Sequence, residues 1–191
     1  MEKPQTNYMR TLLILLICAA AHAGEKVKLW PAEAFTRVEA YCYDYSRDSR
    51  GTSITFPDGT LNRGVIVSKT LKLDDAQILK LRKLLTEDSK EEFGESDCYD
   101  PHHAFVFYDE DGKVTASFDI CFLCAGYHAR PEGVARNADL DALEDFCSEL
   151  GLPIFKESAE YTKLFIKEQG DRKAPDQVQE GLSDDPFQTK D

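Results

Sequence analysis

The sequence predicts an α+β fold: a small antiparallel sheet built from hairpins, with two or three helices packed on one face. Three observations lead there. Short alternating runs are joined by turn residues, which is the pattern of local antiparallel pairing rather than of long parallel crossovers. Two segments of helical periodicity carry their own start and stop residues. The order strand, hairpin, helix, hairpin, helix leaves the helices as a layer over the sheet.

The chain has 191 residues and opens like a secretory leader. Lys3 and Arg10 give a basic start, residues 11–20 are apolar, and Ala21-His22-Ala23 fits the small-x-small rule for cleavage. The expectation is a signal peptide over 1–23, cleavage after Ala23, and an exported, periplasmic or secreted, protein. The apolar run is too short to span a bilayer, and no later segment resembles a transmembrane helix. A lipidated Cys18 fits less well, because bulky Ile17 stands where a small residue normally precedes such a cysteine. Residues 24–169 are long enough for one domain with a real core, not two. From Gly170 to the end the chain is polar, with Pro175, Gly181 and Pro186, and reads as a disordered tail.

The formal net charge is −12. That argues against nucleic acid or an anionic membrane as a partner, since both repel an acidic surface. It selects no other partner, and a solvated surface explains it.

Residues 35–45 alternate. Val38, Ala40 and Cys42 fall on one side; Arg37, Glu39, Tyr41 and Tyr43 fall on the other, so a strand with one buried face is expected. Residues 51–56 and 61–68 flank Pro57-Asp58-Gly59-Thr60, which is turn chemistry and predicts a hairpin. A helix starts after Leu73. Asp74 and Gln77 are spaced for a capping box, Leu73 and Ile78 for the hydrophobic staple, and Ile78, Leu81 and Leu85 for the apolar stripe. Residues 86–97 read as a loop. A second helix is expected over 137–150, with Leu140, Leu143, Phe146, Cys147 and Leu150 inward and Gly151 as its left-handed cap residue. A third is expected over 158–169 around Tyr161, Leu164 and Phe165.

Between the first two helices lies the most informative stretch. His103 to Tyr108 and Val114 to Ile120 alternate across Asp111-Gly112, the signature of a hairpin with a type I′ turn. With that turn as centre, Glu110 faces Lys113, His102 faces Cys121, and Tyr99, beside Cys98, faces Cys124. Phe105, Phe107, Phe118 and Ile120 share a face with His103, the expected core side. Ala104, Val106, Ser117 and Asp119 share the other with His102 and Cys121, which are expected to be the accessible pair. Thiols and imidazoles distant in sequence are thereby gathered at the open end of the hairpin.

Three chemistries compete for this cluster. Of the six cysteines, Cys18 belongs to the leader, while Cys42, Cys98, Cys121, Cys124 and Cys147 remain. In an oxidising compartment disulfides are the default, and an odd number leaves at least one thiol over. Cys98 and Cys124 are the first candidates for a bridge, with Cys121 as the alternative; Cys42 and Cys147 read as small core residues that a bridge would also join. The metal reading takes Cys121-x-x-Cys124 with Cys98 and His102, or His103 or His128 in place of His102, as a Cys₃His set. Such soft donors suit zinc or cuprous copper. The third reading is a thiol-based redox enzyme. A thioredoxin-like CxxC opens a helix, whereas Gly126 and Pro131 argue against a helix after Cys124. A Cys121–His102 nucleophile pair with Asp119 as orienting group is a variant of this reading. His103 otherwise reads as a core histidine and His128 as a loop residue. Asp109, Glu110 and Asp111 read as turn solvation rather than a calcium loop. The sequence carries no GxSxG, P-loop, HExxH or dinucleotide fingerprint, and Cys124 lacks the following His of covalent haem. A structural or binding module is therefore favoured over an enzyme, with the cofactor, if any, limited to zinc or copper.

The stretch Cys98-Tyr-Asp-Pro-His-His103 and the ending Cys121-Phe-Leu-Cys124 resemble a family of small exported proteins. In it a Cys-Tyr-x-Pro-x-His stretch precedes a strand, and Cys-Phe-x-Cys ends the next. The helix starting at Asp74 and the one ending at Gly151 look similar too, so the resemblance covers residues 61–152. It implies one fold and one cluster, and supplies no reaction.

Overall fold

The structure is a computed structural model that describes residues 29–89, 98–134 and 138–173. The expected signal peptide over 1–23 and the chain beyond residue 173 lie outside the described residues, as do most of the 86–97 loop and Asn137. Among the described residues, five strands form one antiparallel sheet in the order β2-β1-β3-β4-β5. In chain order these are β1 (Arg37–Tyr43), β2 (Val65–Lys72), β3 (His103–Tyr108), β4 (Val114–Cys121) and β5 (Gly126–Arg130). The helices are α1 (Asp75–Leu84), α2 (Leu140–Glu149) and α3 (Ser158–Lys173). The α+β architecture expected from the sequence is what forms, and no helix among the described residues is long and apolar enough to cross a membrane.

Helix boundaries follow local chemistry. Asp74 accepts the Gln77 amide at 2.8 Å while the Gln77 side chain accepts the Asp74 amide at 2.9 Å, the capping box in full. Asp139 caps α2 through the Ala142 amide at 2.9 Å. At its other end Gly151 has φ 77°, and Leu152 N–H reaches the Cys147 carbonyl at 3.0 Å. That 6→1 bond is the Schellman closure, which needs a residue free to adopt positive φ. The third helix runs to Lys173, past Gly170, so the polar composition that suggested a tail there begins inside a helix.

The helix side of the sheet carries the main core. Val38, Ala40, Phe105, Phe107, Phe118 and Ile120 meet Leu81 of α1 and Leu143 and Phe146 of α2. Trp30, a residue that no periodicity marks, completes it edge-on to Phe107 at 5.3 Å between ring centroids. Its indole N–H donates to the Pro131 carbonyl at 2.9 Å, and the Arg82 guanidinium of α1 donates to the carbonyls of Leu29, Trp30 and Pro31. The chain entry is thus pinned to a helix and to the end of β5.

The other side is buried as well. The connection 44–64 between β1 and β2 lies over it, and Tyr41, Tyr43, Ala104, Val106 and Tyr108 pack with Ile54 beneath this roof. The expectation of one buried face per strand is therefore corrected. So is the hairpin predicted across residues 57–60: it survives as a single bridge between Thr55 and Leu61. Asn62 turns the chain away, its amide nitrogen donating to the carbonyls of Gly51 and Ser53 and its carbonyl oxygen accepting from Gly64 N–H at 2.9 Å. Gly64 closes the roof against Asp44. A Cβ there would lie 1.9 Å from the Asp44 carbonyl oxygen, so only glycine allows this approach.

The third helix lies along the outer edge of β2. The Glu168 carboxylate accepts the Val67 and Ser68 amides at 3.0 and 2.9 Å, occupying an edge where a further strand would pair.

Candidate functional site

The β3–β4 register is the one read from the sequence over its inner part, with His103 opposite Ile120 and Phe105 opposite Phe118. The turn differs. Gly112 N–H donates to the Asp109 carbonyl, and Asp109 pairs with Lys113. Gly112 has φ 76°, but Asp111 is not in the left-handed region that a type I′ turn demands at both central positions. The Asp109 carboxylate favours this alternative by taking the amides of Asp111 and Lys113. An irregularity between Phe107 and Tyr108 then absorbs one residue near Thr115 and restores the expected pairing.

At the open end the sequence Cys121-Phe122-Leu123-Cys124-Ala125 is the turn of a further hairpin, whose second strand is β5. Reading His128 as a loop residue misses this strand. Its signal is short: Tyr127 and Ala129 alternate with His128 and Arg130. Cys124 N–H donates to Cys121 Sγ at 3.1 Å, and Ala125 is in the left-handed region at φ 48°. The turn brings Cys124 Sγ to 2.7 Å from Cys98 Sγ. Burial pushes the Cys124 thiol up to about 12, and its contacts with the Cys121 and Cys98 thiols act in the same direction. Cys98 is exposed, whereas Cys121 and Cys124 are buried.

The imidazoles are turned to other partners. His102 Nδ1 lies 2.9 Å from the Tyr43 carbonyl, so that nitrogen must carry the proton and donate. The ring stacks on Tyr161 of α3 at 3.8 Å, and Nε2 has no hydrogen-bond partner among the described residues. Burial lowers the His102 pKa despite the Tyr43 bond. His103 Nε2 lies 2.9 Å from the Pro153 carbonyl, and burial lowers that ring to about 4. His128 is exposed on β5 in the pair position opposite Asp119. The accessible pair expected from the sequence is corrected: His102 is 3% exposed, held between Tyr45 of the roof and Tyr161 of α3, and Cys121 is 1% exposed. Among the described residues no three His, Cys, Asp or Glu side chains are grouped to hold a metal ion.

Cys42 and Cys147 both lie in the main core, where burial raises each thiol, Cys42 to about 12. Asp119 is the feature that sequence reasoning misplaced. It is 1% exposed, one carboxylate oxygen has no hydrogen-bond partner, and burial raises its pKa to about 7, opposed by the Ile54 backbone, Arg130 and Ser53. Over it the Arg130 guanidinium fastens the roof, donating to the Thr55 carbonyl and the Ser53 hydroxyl, each at 3.1 Å. Thr55 and Ser117 hydroxyls meet beside it at 2.9 Å. Past this fastening a cavity of about 690 Å³ opens between Phe56, Asp58, Lys113, Thr115 and Arg130.

No protein-family profile, curated protein or solved structure matches the chain. The site therefore stands on its geometry alone.

Proposed function

We propose that the chain is an exported, non-catalytic structural or binding module whose open hairpin end is stapled by a Cys98–Cys124 disulfide. The 2.7 Å contact between the two sulfurs carries this reading. It is longer than a covalent S–S bond and describes two thiols in contact. Their oxidation by a disulfide of the export compartment removes two electrons and two protons and needs little movement of either residue. The basic, apolar, small-x-small order of residues 1–23 supports export into such a compartment. His103 Nε2 is engaged by the Pro153 carbonyl, and among the described residues no three His, Cys, Asp or Glu side chains are grouped to hold a metal ion, which favours the staple over a metal centre.

The staple joins the segment entering β3 to the turn leaving β4. On the chain-entropy account, closing that loop stabilises by about 3 kcal/mol. The test is intact mass with bridge mapping of the purified exported protein, followed by denaturation of the cysteine variants. The expected result is loss of two hydrogens restored by reductant, a mapped 98–124 link, and Cys98→Ala and Cys124→Ala effects that do not add in the double variant. A metal adduct in native mass spectrometry, with stability erased by a chelator, would replace the staple by the metal reading.

A further inference from the structure

We propose that Cys98, Cys124 and Cys121 form a three-thiol relay, in which oxidising equivalents enter at exposed Cys98 and pass through Cys124 to a bridge within Cys121-x-x-Cys124. The proposal rests on the staple reading and extends it, because the first intramolecular product is the Cys98–Cys124 bridge.

Three observations support it. Cys124 touches a cysteine on each side: its sulfur is 2.7 Å from Cys98 Sγ, and its own amide donates to Cys121 Sγ at 3.1 Å. Burial orders the three. Cys98 is exposed, while Cys124 is 5% and Cys121 1% exposed, so only the first is open to a soluble disulfide. The third is the chemical surplus. A permanent staple needs two sulfurs, yet a third is packed against it, with a backbone N–H aimed at the atom that bears negative charge during exchange. Packing a thiol beside a disulfide supplies the attacking group of thiol–disulfide exchange without a bimolecular encounter.

The chemistry balances without a cofactor. The Cys98 thiolate attacks a low-molecular-weight disulfide, forming a mixed disulfide and releasing one thiolate. Cys124 gives its proton to the thiolate just released and attacks Cys98 Sγ, forming the 98–124 bridge and releasing the second. The Cys121 thiolate then attacks Cys124 Sγ, forming the 121–124 bridge and returning Cys98 as thiolate. Overall one external disulfide is reduced to two thiols, two protein thiols become one disulfide, and Cys98 is ready again. The partner class is a small or unstructured disulfide able to reach an exposed cysteine.

The experiment uses the full chain after reduction, with oxidised glutathione as probe, acid quenching at intervals, alkylation and peptide mapping. In the wild type the expected order is a glutathione adduct on Cys98, then the 98–124 link as the main form, then a smaller population in exchange with it that has 121–124 linked and Cys98 alkylated. Cys121→Ala is expected to stop at 98–124 with loss of Cys98 alkylation, and Cys124→Ala to accumulate the adduct on Cys98. Cys121→Ser repeats the first variant with a polar atom in the cysteine's place should the alanine variant fail to fold, and the wild-type map is decisive without either. If wild type and Cys121 variants hold only the 98–124 link, the relay is overturned and the staple stands. If no 98–124 link forms in the Cys121 variants, the staple reading fails and the relay with it. A first adduct on Cys121 rather than Cys98 also overturns the relay.

Discussion

The two faces of the sheet are buried by different means. The helix face is closed by α1 and α2, and its side chains are almost wholly apolar, with Phe105, Phe107, Phe118 and Ile120 at the centre. The roof face is closed by residues 44–64, a segment with one short 3-10 turn (Tyr45–Arg47) and otherwise irregular. Beneath it lie tyrosines, the Thr55–Ser117 hydroxyl pair, and a carboxyl group with one oxygen unpaired. An apolar face is held by area and close packing, which tolerate no loss of volume. A polar buried face is held by particular hydrogen bonds and answers to pH and to single donors.

The largest effect is expected on the helix face. Phe118→Ala should cost about 3–5 kcal/mol in denaturant unfolding, since it removes a fully buried ring from between the sheet and Trp30. Its cost should be the same across moderate pH. On the roof face, Gly64→Ala should cost roughly 1–3 kcal/mol through overlap with the Asp44 carbonyl. Hydrogen exchange should then rise across 44–64 while the amides of α1 and α2 stay protected. Uniform loss of protection would show that the faces open together and would break the comparison.

Asp119 gives a smaller, pH-dependent difference. Its carboxyl is raised from 3.8 to about 7 in the folded chain, chiefly by burial. The folded state therefore keeps a proton that the unfolded chain releases above about pH 4. This contribution is intact below the unfolded value, falls as pH rises through 7, and is constant beyond. Asp119→Asn should gain on wild type over that window, by on the order of 1 kcal/mol per pH unit at most. A flat difference would mean that solvent reaches the carboxylate and that the roof is not closed. The smallest expected effect is at the hydroxyl pair. Thr55→Val or Ser117→Ala alone should cost about 1 kcal/mol by leaving the other hydroxyl without its partner. The double variant should cost less than their sum, measured by a denaturant double-variant cycle.

This asymmetry also decides what was legible in the sequence. The helix face, the capping box at Asp74 and Gln77, the Gly151 cap and the β3–β4 register all arise from residues close in sequence, so period and spacing reveal them. The roof does not. His102, Ser117 and Asp119 alternate with apolar residues exactly where a solvated face would show them, and their cover comes from irregular chain more than fifty residues upstream of Ser117. The nearness of Cys98 and Cys124 was legible from the β3–β4 register, although the contact itself is made by the turn into β5, which the register does not reach. The assignment of His102 to the Tyr43 carbonyl and Tyr161 was not, because both partners come from elements distant in sequence. β5 is not legible because its alternation is only four residues long, His128 reads as a loop residue, and Gly126 and Pro131 speak only against a helix.

The Glu168 carboxylate on the amides of Val67 and Ser68 bears on the order in which the chain is made. β2 is synthesised early, and the residue that closes its outer edge is about a hundred positions later. Until that residue has left the ribosome, a nascent chain carries an edge whose backbone donors are open to any other extended segment. Truncation before α3 would therefore turn a self-contained sheet into a template, and incomplete chains are the form most in need of a chaperone.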